Sequence, residues 1–221
     1  MKYFSLVLVS AIVHYGSQAS DVPIQLTVSP VHHSLCLGEP AVFTLELSNR
    51  SNSPVKGIFV PLESGFAGLV VEITEPVGRK YVFARDEIVD DIIYNESVMK
   101  PGDVVRSSIT ILYDMVHRYH VFNQTGRYSL SFIFLWNHGS GQTIQVKASA
   151  EVDVRDCARE RTTSIYKAME LWMDRDIAKA FQTGVELTES ARKKLYELKT
   201  NYADTVYGKW AEKLLERHKS R

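Results

Sequence analysis

Between residues 22 and 156 apolar side chains recur at every second position, in short runs separated by glycine, proline and asparagine. A period of two places one face of an extended chain inside and the other in water, so this pattern constrains the fold more than any other feature. Ile24, Leu26 and Val28 alternate up to Pro30. Val42 to Leu47 alternates and ends at the polar cluster 48–54. Val55 to Val60 stops at Pro61. Leu69 to Ile73 and Lys80 to Ala84 flank Glu75-Pro76-Val77-Gly78, which reads as a hairpin turn. Val104 to Tyr113, Gly126 to Trp136 and Thr143 to Val154 complete a series of eight or nine predicted strands. Nothing alternates strand with helix, so the pattern predicts a mainly β protein, an antiparallel sandwich, rather than a parallel sheet.

Beyond Cys157 the character changes, because β-branched residues thin out and helix formers dominate. Ile165, Met169 and Trp172 share one helical face. Thr188 is placed to cap a helix carrying Ala191, Leu195 and Leu198, and a last helix from about Ala203 presents Val206, Tyr207, Trp210, Leu214 and Leu215. Helices this short are marginal alone in water, so they must pack on each other, on the strands or on a partner. The division predicted is 1–19 signal peptide, 20–156 β-sandwich and 157–221 helical tail.

Charge follows the same division. The chain has 26 basic and 26 acidic residues, yet residues 20–156 sum to −5 and residues 157–221 to +4. A basic tail beside an acidic domain can dock on it or meet an acidic protein partner. The basic residues are interleaved with acids, which argues against nucleic acid.

The first residues point to export. Lys2 precedes the mostly apolar run Tyr3 to Val13, and Ser17-Gln18-Ala19 offers the small residues of a cleavage site. That run is shorter than the roughly 20 residues a membrane span needs, and no later stretch reaches that length. Periplasmic or secreted localisation is the expectation. In an oxidising compartment the two cysteines, Cys36 and Cys157, invite a disulfide, with two separate buried thiols as the alternative. If the segments before them run parallel and adjacent, both arrive at one end of the sandwich.

Several segments resemble bacterial immunoglobulin-like domains of exported proteins. They are Leu37-Gly38-Glu39-Pro40-Ala41-Val42, Leu45-Glu46-Leu47-Ser48-Asn49, Met99-Lys100-Pro101-Gly102-Asp103 and Gly126-Arg127-Tyr128-Ser129-Leu130. The accessory sandwich of deuterolysin-type secreted peptidases and the BsuPI-type proteinase inhibitors share this flow. The resemblance implies an immunoglobulin-like sandwich, and a Tyr128 hydroxyl bonded to nearby backbone. Thr188 to Leu215 is similar to one degenerate tetratricopeptide-type helix pair, without the proline that often follows the tyrosine at the position of Tyr202. Neither resemblance carries catalytic residues, since His-Glu-x-x-His is absent.

A search for chemistry finds no nucleophile elbow, P-loop, dinucleotide fingerprint or Cys-x-x-Cys. No catalytic residue and no cofactor is assigned. The metal candidates are His117 and His120, with His32, His33 or His138 as a further ligand, but a carboxylate at useful spacing is missing. Asp86, Glu87, Asp90, Asp91 and Glu96 form an acidic segment that lacks a calcium-loop glycine and reads as a solvated loop. The aromatic series Tyr113, Tyr119, Phe122, Tyr128, Phe132, Phe134 and Trp136 serves core packing, or else an exposed binding strip. Asn49, Asn95 and Asn123 fit the glycosylation pattern, which recurs by chance. The expectation is a non-enzymatic binding or scaffold protein of the cell envelope, ligand unknown. A metal-dependent hydrolase or its accessory domain, and a proteinase inhibitor, are the alternatives.

Overall fold

The computed structural model describes residues 23–59, 69–84, 95–138, 143–157 and 163–219. The expected signal peptide, 1–19, and the acidic residues 86–91 lie outside them.

The strands sort into two main sheets. In the first, β1 (Ile24–Pro30) pairs with β3 (Ala41–Asn49), and β3 pairs with β8 (Val104–Ile111), all antiparallel. Pro30 ends β1 because it lacks the N–H a ladder needs. The chain then changes sheet, and β2 (Ser34–Cys36) runs parallel to β12 (Thr143–Arg155). The second sheet continues from β12 to the long strand β11 (Gly126–His138). On the far side of β11 lie β5 (Leu69–Thr74), against Ser129 to Phe134, and β4 (Val55–Phe59), against Asn137 and His138. Beyond them β6 (Lys80–Val82) pairs with β5, and β7 (Asn95–Met99) pairs with β4. Thus β4 with β5, and β7 with β6, each fill one lane of a five-lane sheet. A small ladder of β9 (Tyr113–Asp114) and β10 (Tyr119–His120) completes the described strands.

The described residues therefore hold twelve strands where the alternation predicted eight or nine. The extra ones are β2, β7, β9 and β10, which are too short or too polar to show a period. The hairpin at 75–78 forms as expected, with Gly78 at φ 84° and the Glu75 N–H donating to the Arg79 carbonyl.

Inward side chains of both sheets enter one hydrophobic cluster that includes Phe43, Leu45, Val71, Ile73, Tyr128, Leu130, Phe132 and Phe134. Phe43 of one sheet meets Phe132 of the other at 5.1 Å between ring centres. The buried positions 113, 122, 128, 130, 132 and 134 assign those side chains to packing, whereas Tyr119 is half-buried; the side chain of Trp136 lies outside the described residues. The Tyr128 hydroxyl accepts from the Gln124 N–H at 3.2 Å, the corner bond that the resemblance implies.

Four helices follow: α1 (Thr163–Trp172), α2 (Arg175–Thr183), α3 (Glu189–Asn201) and α4 (Val206–Lys219). Thr188 caps α3 by accepting from the Ala191 N–H, and Asp174 caps α2 by accepting from Asp176 and Ile177. Their inward residues form a second core with Leu112, Tyr113 and Met115 from the strand region, so the tail is docked, not free. The α3–α4 turn requires Gly208, where a Cβ would lie 2.1 Å from the Tyr202 carbonyl oxygen.

The junction is tied covalently and by hydrogen bonds. Cys36, in register with Arg155, is bonded to Cys157, as the parallel adjacency of their segments allows. Trp172 Nε1 donates to the Gly38 carbonyl at 2.8 Å, and the Tyr207 hydroxyl donates to the Leu37 carbonyl at 2.8 Å. Buried Gln182 accepts from the Leu112 N–H and donates to the Thr110 carbonyl. No helix among the described residues is long and apolar enough to cross a membrane.

Candidate functional site

The outward face of the second sheet carries a trough of about 590 Å³ across β6, β5, β11 and β12. Register sets its lining. Lys80, Thr74, Ser129 and Glu151 stand in one row across four strands, and Val82, Glu72, Ser131 and Ser149 stand in the next. Side chains alternate along β11, so the pattern that buries Tyr128, Leu130 and Phe132 turns Ser129 and Ser131 outward. Serine is small, and longer Glu72, Lys80 and Glu151 side chains flank it, which makes this stretch concave. Ser129 Oγ donates to Glu151 at 3.4 Å, and Arg127 lies 3.8 Å from Glu151 at one end.

Tyr81 alternates with Lys80 and Val82 on β6, so its ring lies on the other face of the sheet from the trough, in a compact polar cluster. The rings of Tyr81, His117 and Tyr119 pack together with centres 5.6 to 5.9 Å apart. The Arg79 guanidinium lies 5.3 Å from the centre of Tyr81 and 5.0 Å from that of Tyr119. Buried Glu75 accepts from Arg79 at 3.0 and 2.8 Å in a bidentate pair, which raises the arginine pKa. Burial pushes both tyrosine hydroxyls above their usual range, so they are neutral near pH 7. Beneath the rings, fully buried Asp114 accepts from the N–H groups of Ala84, Val116 and His117, and its Oδ1 lies 3.0 Å from His117 Nδ1.

The two histidines read as metal candidates face different ways. His117 joins the ring cluster. His120 is buried against the helices, with Nε2 3.1 Å from the Met173 carbonyl and its ring edge-on to Tyr113. Burial lowers its pKa to about 4, outweighing the Met173 contact, so the ring is neutral near pH 7. Among the described residues no group of three or more His, Cys, Asp or Glu is gathered as for a metal ion. His32 and His33 are exposed beside β2, and the His138 side chain lies outside the described residues. Asn49 is no open glycosylation acceptor. It is buried, and its amide donates to the Ser53 and Met99 carbonyls.

The sequence pattern missed the trough and the Arg79–Glu75 pair. The outward serines were nonetheless visible as the polar complement of the buried aromatic face. No local signal announces that residues 75, 79, 81, 114, 117 and 119 meet, since they come from two distant turns.

No protein-family model matches the chain, and no curated protein does either. Solved structures align with about three fifths of it. The putative ApaA protein from Bordetella pertussis is 12% identical over 59% of this chain and 93% of its own, with a TM-score of 0.37. The CARDB domain of the PF1109 protein from Pyrococcus furiosus is 11% identical over 59% and 91%, with a TM-score of 0.33. A beta-glucosidase from Listeria innocua is 15% identical over 59% of this chain, which spans only 16% of that enzyme, with a TM-score of 0.31.

Proposed function

We propose that the β-rich part is an immunoglobulin-like two-layer sandwich, that α3 and α4 are a degenerate tetratricopeptide-type pair, and that the whole is an exported, non-catalytic binding or scaffold protein of the cell envelope. The observation that carries this reading is the junction. The disulfide, three side-chain hydrogen bonds to main chain and a shared apolar core tie the strands and helices together. A body held in this way presents fixed surfaces, which lowers the ordering cost of binding. The disulfide is in keeping with an oxidising compartment. The hydrolase alternative gains nothing from His117 and His120, because their rings diverge.

Expression of the full chain in a Gram-negative host tests export and role together. The mature protein is expected in the periplasm, beginning at Ser20, and in-cell cross-linking is expected to trap a defined envelope partner. Cytosolic retention with an intact N-terminus would remove the export reading. Turnover in a hydrolase substrate panel, abolished by His117→Ala, would replace the binding reading with the catalytic one.

A further inference from the structure

We infer that the outward trough over β6, β5, β11 and β12 is a binding site for a neutral, hydroxyl-rich chain, a glycan segment lying across the strands. This rests on the reading of the protein as a binding protein, and names the ligand class of its trough.

Three observations converge. First, the polar side chains form an ordered array. Lys80, Thr74, Ser129 and Glu151 are in register across four strands, and Val82, Glu72, Ser131 and Ser149 form a second row one pleat away that is polar at three of its four positions. Neighbouring strands are about 4.8 Å apart, so donors and acceptors recur at a fixed interval along about 14 Å of floor. A chain of pyranose rings presents hydroxyls, each both donor and acceptor, at comparable intervals.

Second, most of the array is unspent, the Ser129–Glu151 bond and the Arg127–Glu151 contact aside. The side chains of Glu72, Thr74, Lys80, Ser131 and Ser149 make no hydrogen bond or ion pair to other described residues. Exposed carboxylates serve water in the free protein, and each can take two adjacent hydroxyls in exchange for two waters at little net cost.

Third, competing ligand classes fit less well. The trough lining holds Glu72 and Glu151 against Lys80, with Arg127 beside Glu151, so it has no excess of positive charge to recruit a polyanion. Those two carboxylates stand two strand spacings and one pleat apart, about 12 Å, too far to share one cation. A peptide docks through main-chain bonds at an open sheet edge or through apolar pockets. Here the floor strands β11 and β5 are each paired on both sides, and of the eight side chains in the two rows only Val82 is apolar.

The test is a titration of the isotope-labelled full chain, followed by amide shifts, with cellohexaose, hexa-N-acetylchitohexaose, maltohexaose and, as an anionic control, hexagalacturonate. At least one neutral oligosaccharide is expected to shift amides of β5, β6, β11 and β12, and the uronate none. Glu72→Gln with Glu151→Gln, and separately Ser131→Trp, should weaken that binding at least tenfold while leaving the melting temperature unchanged. Silence from all three neutral chains, shifts confined to other strands, or equal binding of the uronate overturns the inference. Cross-linking to the envelope partner by the same trough variants is read separately. Intact cross-linking without glycan binding sinks the glycan inference and leaves the binding-protein reading standing.

Discussion

At the scale of single residues, the most informative group is His120. Its ring is buried between β10 and the turn before α2, near Met173, Asp174 and Tyr113, and its pKa falls from 6.5 to about 4. Between those values the unfolded chain takes up a proton that the native ring refuses, so stability falls as pH drops through that window. The total is on the order of 3 kcal/mol. Urea unfolding between pH 7 and pH 4 should show this loss, and His120→Gln should flatten it; an unchanged slope in the variant would assign the loss elsewhere. Asp174 does not confuse the reading. Burial alone would raise its pKa, but the Lys194 bond and two helix N–H groups leave it lowered, so its contribution is lost only at more acid pH. Trp172 supplies a second test. Trp172→Phe keeps much of the apolar volume but strands the Gly38 carbonyl, at a cost of about 1–3 kcal/mol measurable in the same urea assay.

Among secondary elements, local chemistry decides what can be read ahead of time. Long strands such as β3, β5, β11 and β12 repeat the period often enough to declare themselves. β2, β9 and β10 span two or three residues and cannot, and β7, Asn-Glu-Ser-Val-Met, is too polar to look like a strand. The α3 cap was legible because threonine followed by a helical stripe has a direct backbone consequence. Thr188→Ala should cost about 1 kcal/mol by thermal unfolding. Gly208→Ala should cost more, about 2–3 kcal/mol, because the added carbon must displace the Tyr202 main chain. A neutral result there would mean that the α3–α4 turn relaxes freely.

For the whole molecule, the Cys36–Cys157 bond closes a sequence separation of 121 residues. Chain entropy sets its contribution at up to about 5 kcal/mol, acting mainly on the unfolded state. Replacing both cysteines by serine should therefore lower stability by no more than this. The helices should stay docked, because Trp172, Gln182 and Tyr207 keep their main-chain partners. Unchanged near-ultraviolet dichroism with a lower urea midpoint is the expected result. Loss of the aromatic signal at pH 7 without urea would show that the bond, rather than the second core, holds the junction.

What the amino-acid order determined by itself is everything that depends on neighbours along the chain: the buried alternation of β11, the hairpin at 75–78, the helical character after residue 157 and the cap at Thr188. It also set Cys36 just before a turn and Cys157 just after the last strand-like run, where their pairing could be expected. What only the tertiary structure decided is everything that depends on which elements become neighbours in space. The lane register that lines up Lys80, Thr74, Ser129 and Glu151, the meeting of Arg79 with Tyr119, and the divergence of His117 from His120 all arise from contacts between distant segments. A periodic pattern tells each side chain which way to face, inward or outward. It carries no information about the strand that will stand beside it.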